Sequence, residues 1–202
     1  MTIPAISVTK RDSDSRTLLH NSQSASQTCS LLNQGAEINA VDDEGWTPLM
    51  IAASANRIDI VEILIENNAN LDLQNSYGNT ALHYAASKNL IDIVKVLLSS
   101  DAKLLQNSIG HTPLHRAAMK GFLDVLILFE KTFIDVADYQ GNTALHLATE
   151  ESRVDVIKYL IDLGANSSIR IRMGNWLLIL LQVFLFNNLY LFILPLTIAV
   201  IA

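Results

Sequence analysis

The sequence predicts an all-α solenoid of about five stacked helix-turn-helix units, each opened by a β-turn finger, and three observations carry that prediction. One motif recurs at Thr17-Leu18-Leu19-His20, Thr47-Pro48-Leu49-Met50, Thr80-Ala81-Leu82-His83, Thr112-Pro113-Leu114-His115 and Thr143-Ala144-Leu145-His146, at spacings of 30, 33, 32 and 31 residues. In the last four units a glycine stands two residues before the threonine, at Gly45, Gly78, Gly110 and Gly141. A second motif follows in the same frame: Ile58-Asp59-Ile60-Val61, Ile91-Asp92-Ile93-Val94, Leu123-Asp124-Val125-Leu126 and Val154-Asp155-Val156-Ile157. A period of thirty-odd residues marks supersecondary units that bury their apolar faces on one another.

Each unit parses as turn, helix, loop, helix. Asp, Asn or Ser near Gly supplies turn chemistry and a permitted positive φ. The threonine then caps the first helix, with Pro48 and Pro113 in its first turn, where no backbone N–H is missed. Ala52-Ala53, Ala85-Ala86 and Ala117-Ala118 keep that helix thin, so neighbouring units can approach closely. The second helix carries apolar residues at helical spacing, as in Ile60, Val61, Ile63, Leu64 and Ile65. The first unit departs from this: it has Asn21-Ser22-Gln23 where alanines stand elsewhere, and it is about three residues short before Gly35-Ala36, so its helices are expected to be irregular. The other four are expected to be well formed.

Composition narrows the function. Of 202 residues half are hydrophobic, 17% charged and 6% aromatic, and the net charge is -6. The chain is too apolar for disorder and too acidic for general nucleic-acid binding, which needs a basic surface. The single cysteine, Cys29, excludes an internal disulfide framework and a cysteine-based zinc site and fits a reducing compartment. The sequence contains no His-Glu-x-x-His, no phosphate-binding glycine loop and no supported nucleophile-base pairing. Neither an enzyme activity nor a cofactor nor a metal is expected.

The repeated motifs resemble those of the ankyrin-repeat family, whose pattern Gly-x-Thr-Pro-Leu-His-x-Ala-Ala matches roughly residues 16–168, with Met50 in place of one histidine. The resemblance implies that His83, His115 and His146 are structural, bonding between neighbouring turns. His111, in a turn, reads as a solvent-facing contact. The resemblance also implies a concave face built from turn tips and outward positions of the first helices. Unit by unit that face reads Asp42, Asp43, Glu44 and Trp46; Tyr77, Tyr84 and Lys88; His111, Arg116 and Lys120; Tyr139, Glu150 and Glu151. Aromatic anchors among patterned charge suit a protein partner.

Finer detail is similar to the gankyrin branch of that family, non-ATPase subunits of the proteasome regulatory particle. The likeness lies in Asp14-Ser15-Arg16-Thr17-x-Leu19-His20, Asp43-Glu44-Gly45-Trp46-Thr47-Pro48-Leu49, His83-Tyr84-Ala85-Ala86-Ser87-Lys88-Asn89 and His115-Arg116-Ala117-Ala118. It implies a monomeric, cytoplasmic and nuclear assembly chaperone that holds the C-terminal domain of a proteasomal ATPase subunit. In that role Arg16 and Lys88 contact acidic residues, with Arg116, Lys120 and Glu151 on the same face. Thr149 replaces the cysteine of the Leu-x-Cys-x-Glu segment that the branch uses for pocket proteins, and that activity is not expected. The branch's N-terminal repeat and its last repeat and polar cap have no counterpart in the sequence.

Three domains follow: a disordered polar arm at 1–15, without a signal peptide, a repeat domain at 16–172 and an apolar tail at 173–202. From Trp176 to Ala202, only Gln182, Asn187, Asn188, Pro195 and Thr197 interrupt the apolar residues. The length suffices to span a bilayer, and Arg170 and Arg172 would keep the repeats cytosolic. Gly174-Asn175, 33 residues after Gly141-Asn142, supports a further degenerate repeat instead. The Ile, Leu, Phe, Asn and Tyr bias suits a translated AT-rich intron. All three readings stand at this point.

Overall fold

A computed structural model describes residues 8–166. The tail at 173–202, residues 167–172 of the repeat domain and the first seven residues of the arm lie outside the described residues. The helices are α1 (Ala25–Asn33), α2 (Pro48–Ser54), α3 (Ile58–Glu66), α4 (Ala81–Ser87), α5 (Ile91–Ser99), α6 (Pro113–Lys120), α7 (Leu123–Leu126), α8 (Ala144–Glu150) and α9 (Val154–Asp162), with a 3-10 turn at Lys131–Phe133. Two layers result: the first helices α2, α4, α6 and α8 pack in one row, and the second helices α1, α3, α5, α7 and α9 in another. The alanine pairs are fully enclosed between neighbouring first helices, as their small size demands. Leu64, Ile93, Leu97, Val125 and Leu160 fill the seam between the layers.

Each unit begins with a finger whose first residue is Asp12, Asp42, Asn75, Asn107 or Asp138. The side-chain oxygen of that residue accepts the N–H groups two and four positions on: for Asp42, those of Glu44 at 3.0 Å and Trp46 at 2.8 Å. The backbone closes the same loop, with the Asp42 N–H donating to the Trp46 carbonyl. The pattern begins at Asp12, where the N–H groups of Asp14 and Arg16 are taken up in the same way. Residues 12–15, read from sequence as part of a disordered arm, therefore form the first finger, and Ser15 at φ 60° stands where later fingers carry glycine.

Neighbouring fingers are bonded to each other through their tips. The N–H groups of Asp43, Ser76, Ser108 and Tyr139 donate to the carbonyls of Asp14, Glu44, Tyr77 and Ile109 at 3.1, 2.9, 3.1 and 3.4 Å. This close approach is what the finger glycines permit. A Cβ on Gly110, whose φ is +86°, would lie 2.4 Å from the Tyr139 nitrogen.

The first unit is irregular, as its sequence indicates. Residues 18–21 form only a turn before α1. Its polar side chains find local partners instead of a helix: Ser22 with Thr28 at 2.6 Å, Gln23 with Gln27, and Asn21 with Asp12. The fourth unit corrects the expectation of four well-formed repeats, because α7 is a single turn of four residues. The loops after the second helices repeat one bond, in which Asn39, Asp72 and Asp135 accept from the N–H groups of Asn70, Lys103 and Asn166. Asp72 lies 25 residues after Thr47 and Asp135 only 23 after Thr112, so the two missing residues come out of α7's C-terminal turns. A surface cavity of about 470 Å³ opens there, between Leu98, Leu104, Leu128 and Phe133.

Cations from one unit brace the unit before it. Arg57 donates to the Ser22 carbonyl at 2.6 Å, Lys88 to the Ser54 carbonyl at 2.7 Å, and Arg153 to the Met119 carbonyl at 3.0 Å. Ser54 and Met119 lie in the last turns of α2 and α6, whose carbonyls the helix leaves open and where positive charge is favoured, whereas Ser22 follows the turn that replaces a first helix in the first unit.

Two glycines at similar positive φ separate conformational cost from crowding. Gly35→Ala, with nothing within 4 Å of the new Cβ, should cost only the left-handed penalty of about 1–2 kcal/mol. Gly110→Ala adds a clash with the backbone of the next finger and should lower the urea midpoint distinctly further. Equal midpoints for the two variants would contradict the packed-finger geometry.

Candidate protein-interaction surface

The recurrent histidines join the units. In four units the imidazole Nδ1 accepts the backbone N–H of the threonine three residues earlier, at 3.1–3.2 Å for Thr17-His20, Thr80-His83, Thr112-His115 and Thr143-His146. That bond leaves the proton on Nε2, which reaches the next finger: His20 donates to the Trp46 carbonyl at 3.0 Å, His83 to His111 at 3.0 Å, and His115 to Asn142 at 3.1 Å. Burial pushes His83 and His115 down to about 4, even though the accepting carbonyls favour the charged form.

His111 is not the solvent-facing contact that its turn position suggested. It is buried, its Nε2 lies 3.3 Å from Asp138 Oδ2, and its ring stacks on His115 at 5.5 Å. The side chain sits at the last position of its finger, pointing at the first residue of the next. Burial lowers its basicity; the Asp138 carboxylate works against that and the Arg116 charge adds to it.

Arg16 and Asp42 form the same kind of clamp one end of the stack away. Arg16 Nε donates to Asp42 Oδ2 at 2.9 Å, and the Asp42 side chain is almost wholly enclosed. Burial raises the Asp42 carboxyl, but the N–H groups of Trp46 and Glu44 and the guanidinium of Arg16 together hold it below its ordinary value. Asn79 and Asn107 repeat the pairing at 2.9 Å. Arg16 and Asp42, both predicted to meet a partner, are thus engaged with each other in joining two fingers. Trp46 breaks the series. Its ring stacks on Tyr84 with centroids 4.2 Å apart, while the Tyr84 hydroxyl accepts from Asn75 at 2.7 Å.

The remaining predicted residues fall on two separate strips. On the first-helix layer, Tyr84 and Lys88 stand four residues apart on one helical face, and Arg116 and Lys120 hold the same two positions in the next unit. Lys88 and Lys120 are exposed and Arg116 is half-buried. Glu151 continues the Lys88–Lys120 position in the fifth unit, beside exposed Glu150 and 3.7 Å from Arg153. Asp43, Tyr77 and Tyr139 lie instead at the finger tips, Tyr77 54% and Tyr139 66% exposed. Between them stands Ile109, 52% exposed, which sequence reasoning did not single out. Its signal was positional: it occupies the same finger position as Tyr77.

Among the described residues no group of three or more His, Cys, Asp or Glu is placed to hold a metal ion. No helix among them is long and apolar enough to cross a membrane. Stacked helical hairpins with laterally bonded fingers and two exposed strips of patterned chemistry define a repeat scaffold for protein–protein interaction. The family model for ankyrin repeats (3 copies) matches residues 18–108 and 99–171. The chain belongs to the ankyrin-repeat family.

Shorter stretches are similar to several known proteins. Neurogenic locus notch homolog protein 1 of Homo sapiens is 46% identical over 44 residues, covering 22% of this chain and 2% of that protein. Alpha-latrotoxin-Lt1a of Latrodectus tredecimguttatus is 41% identical over 49 residues, 24% of this chain and 4% of the toxin. The ankyrin repeat, SAM and basic leucine zipper domain-containing protein 1 of Ornithorhynchus anatinus is 48% identical over 40 residues, 20% of this chain and 8% of the relative. The chain thus spans only a small part of the length of each of these relatives, through a stretch of itself.

The buried neutral histidines set a pH dependence. An unfolded imidazole titrates near 6.5, whereas His83 and His115 in the fold hold off protons until about 4. Between those values the unfolded chain binds more protons, so stability present above pH 6.5 falls as the pH drops toward 4, by about 1.4 kcal/mol per pH unit for each histidine. Urea midpoints should be nearly level above about pH 7 and decline progressively from about pH 6.5 to about pH 5, where ordinary carboxylates are still largely ionised. A flat profile there would rule out the neutral inter-unit imidazoles.

Proposed function

We propose that this chain is a gankyrin-like assembly chaperone that holds the C-terminal domain of a proteasomal ATPase subunit against its first-helix layer, in the cytoplasm and nucleus and as a monomer. The observation that carries the reading is the basic row in which Lys88 and Lys120 hold equivalent positions of consecutive units, with Arg116 one helical turn before Lys120. The narrower likeness to gankyrin rests on the sequence motifs around Trp46, Lys88 and Arg116, since the relatives matched above are ankyrin proteins of other kinds. A basic row in a chain of net charge -6 is a local feature suited to a carboxylate-bearing surface, and it governs approach rate and register more than total affinity. Arg16 has a smaller part in this reading than the resemblance implies, because its head is held by Asp42. Trp46 and Tyr84 offer a stacked aromatic platform beside the row.

A second reading makes the chain a tail-anchored ankyrin adaptor at a membrane; the apolar composition of residues 176–202 favours it. Carbonate extraction of cell membranes checks that reading directly, and release of the chain into the supernatant would exclude it.

The scaffold reading is checked by titrating the full chain against a purified ATPase C-terminal domain in low and high salt. Saturable binding is expected, weakening with salt and falling about tenfold, or ~1.4 kcal/mol, in a Lys120→Glu variant. Lys120, exposed and outside any salt bridge among the described residues, reports on the interface without disturbing the stack. Absence of binding at low salt would end the proteasomal proposal.

A further inference from the structure

The shortening of the fourth unit leaves apolar surface uncovered in the second-helix layer. Where α5 runs on to Ser99, α7 stops at Leu126, and the turns that it lacks would have stood over the end of α5 and the loop after it. The cavity of about 470 Å³ occupies that place, with Leu98, Leu104, Leu128 and Phe133 in its walls. Its charged lining residues, Asp101, Lys103 and Glu130, are all exposed, and Lys103 is paired with Asp72 at 3.1 Å. Next to Leu128, Ile127 is 50% exposed, at the position that Glu62, Lys95 and Lys158 hold in α3, α5 and α9. An apolar floor with a charged margin, found in one unit only, is a feature that a partner of matching chemistry would cover.

The chain itself carries a segment of that chemistry. Residues 176–186 are apolar at every position but Gln182, and no charged side chain stands between Met173 and Ala202. Such a segment brings no charge into the cavity, and Asp101, Lys103 and Glu130 can stay in water at its margin. Its attachment point is close. The N–H of Asn166 donates to Asp135 Oδ1 at 2.9 Å, and a Cβ on Gly164 would lie 3.6 Å from Lys131 Nζ. The chain therefore leaves α9 alongside residues 131–135, the stretch that supplies Phe133 to the cavity wall. Residues 167–175 can span about 30 Å when extended. Neighbouring units, at the spacing of packed helices, stand only roughly 10 Å apart.

We infer that the cavity beside α7 is the seat of the chain's own residues 176–186, which turn back over the fourth unit and lay apolar side chains against Leu98, Ile127, Leu128 and Phe133. The contact is intramolecular, and a short connection gives the segment an effective concentration on the order of millimolar at its seat. Docking covers two apolar surfaces at once, the defect left by α7 and the segment itself. It also makes the segment's two uses exclusive: seated at α7, residues 176–186 are withheld from a bilayer, and inserted in one they leave the cavity open. The seat lies in the second-helix layer, away from the basic row, and it stands whether or not the ATPase proposal holds.

Photo-cross-linking of the full-length chain in detergent-free buffer tests the assignment. The photoreactive residue p-benzoylphenylalanine replaces exposed Ile127 and, in a separate protein, Lys158 at the same position of the fifth unit; cross-linked peptides are read by mass spectrometry. Position 127 should capture residues 176–186 at the mass of a single chain, and position 158 should capture them far less. A second variant, Ile127→Lys, installs the side chain that α5 and α9 carry there and should leave the far-UV circular dichroism unchanged. In that variant chymotrypsin should cut within 176–186 about tenfold faster, since cleavage follows the population of the undocked segment. Cross-links from position 127 that miss 176–186, or that appear only between two copies, overturn the assignment. Capture at position 158 equal to or above that at 127 overturns it too, by putting the segment against the fifth unit. Equal chymotrypsin rates for the two chains do the same, and so does co-sedimentation with added phosphatidylcholine vesicles with no cross-link from 127 before the lipid is added.

Discussion

The stack depends on how each finger's last carbonyl is satisfied from two sides. The carbonyls of Trp46, His111 and Asn142 accept the N–H of the residue that opens their own finger and, from the preceding unit, an imidazole Nε2–H. The same imidazole accepts at Nδ1 from the backbone N–H of the threonine three residues before it, which in the third and fourth units caps the first helix. One side chain thereby fixes the start of a helix, the position of the next finger and its own tautomer. The arrangement requires the ring to be neutral, and burial keeps it so. Met50 interrupts the series between the second and third units, and there the Trp46–Tyr84 stack supplies a contact across the same junction.

That economy explains which parts of the fold were legible in the sequence. Thr, His and the finger glycines recur because each answers a backbone demand, a cap, a carbonyl or a positive φ, that returns once per unit. The roles of Arg16, Asp42 and His111 were not legible, because reading along one finger does not show which of its residues face the neighbour. Aligned by position, Arg16, Asn79 and His111 fall in one column and Asp42, Asn107 and Asp138 in another, and the pairing of the columns becomes a pattern. The shortening of α7 was hidden for a different reason. From Leu123 to Phe129 the chain is apolar at every position but Asp124, so its periodicity could not say where the two missing residues came out.

The candidate binding residues divide along the same line. Residues whose side chains point between fingers, Arg16 and Asp42, are consumed by the fold. Residues whose side chains point away from the stack, Lys88, Lys120, Asp43, Tyr77 and Tyr139, remain outward. Lys88 shows that the two duties are compatible: its amine bonds to Ser54 of the preceding unit, yet the side chain stays exposed on the basic row. Net charge conceals this partition. A chain of -6 overall places its exposed finger-tip acids on one strip and its basic row on another, and only the register of the repeats brings like charges together.

The defect at α7 shows why these strips survive an imperfect repeat. In a solenoid, stability is approximately a sum of unit terms and nearest-neighbour interfaces, so a weak unit lowers the total without dissolving the array. The two residues missing from the fourth unit are taken from the second-helix layer, where the cavity beside Leu128 and Phe133 opens. The first-helix layer is untouched: α6 keeps its Thr112 cap, its left-handed end at Gly121 and its alanine contact with both neighbours. The fingers on either side of it remain bonded through Tyr77 and Ile109. The shortening of the fourth unit is thus absorbed in the second-helix layer, and the geometry that aligns Lys88 with Lys120 and Tyr77 with Ile109 is set by the first helices α4 and α6 and their fingers, which keep their regular form.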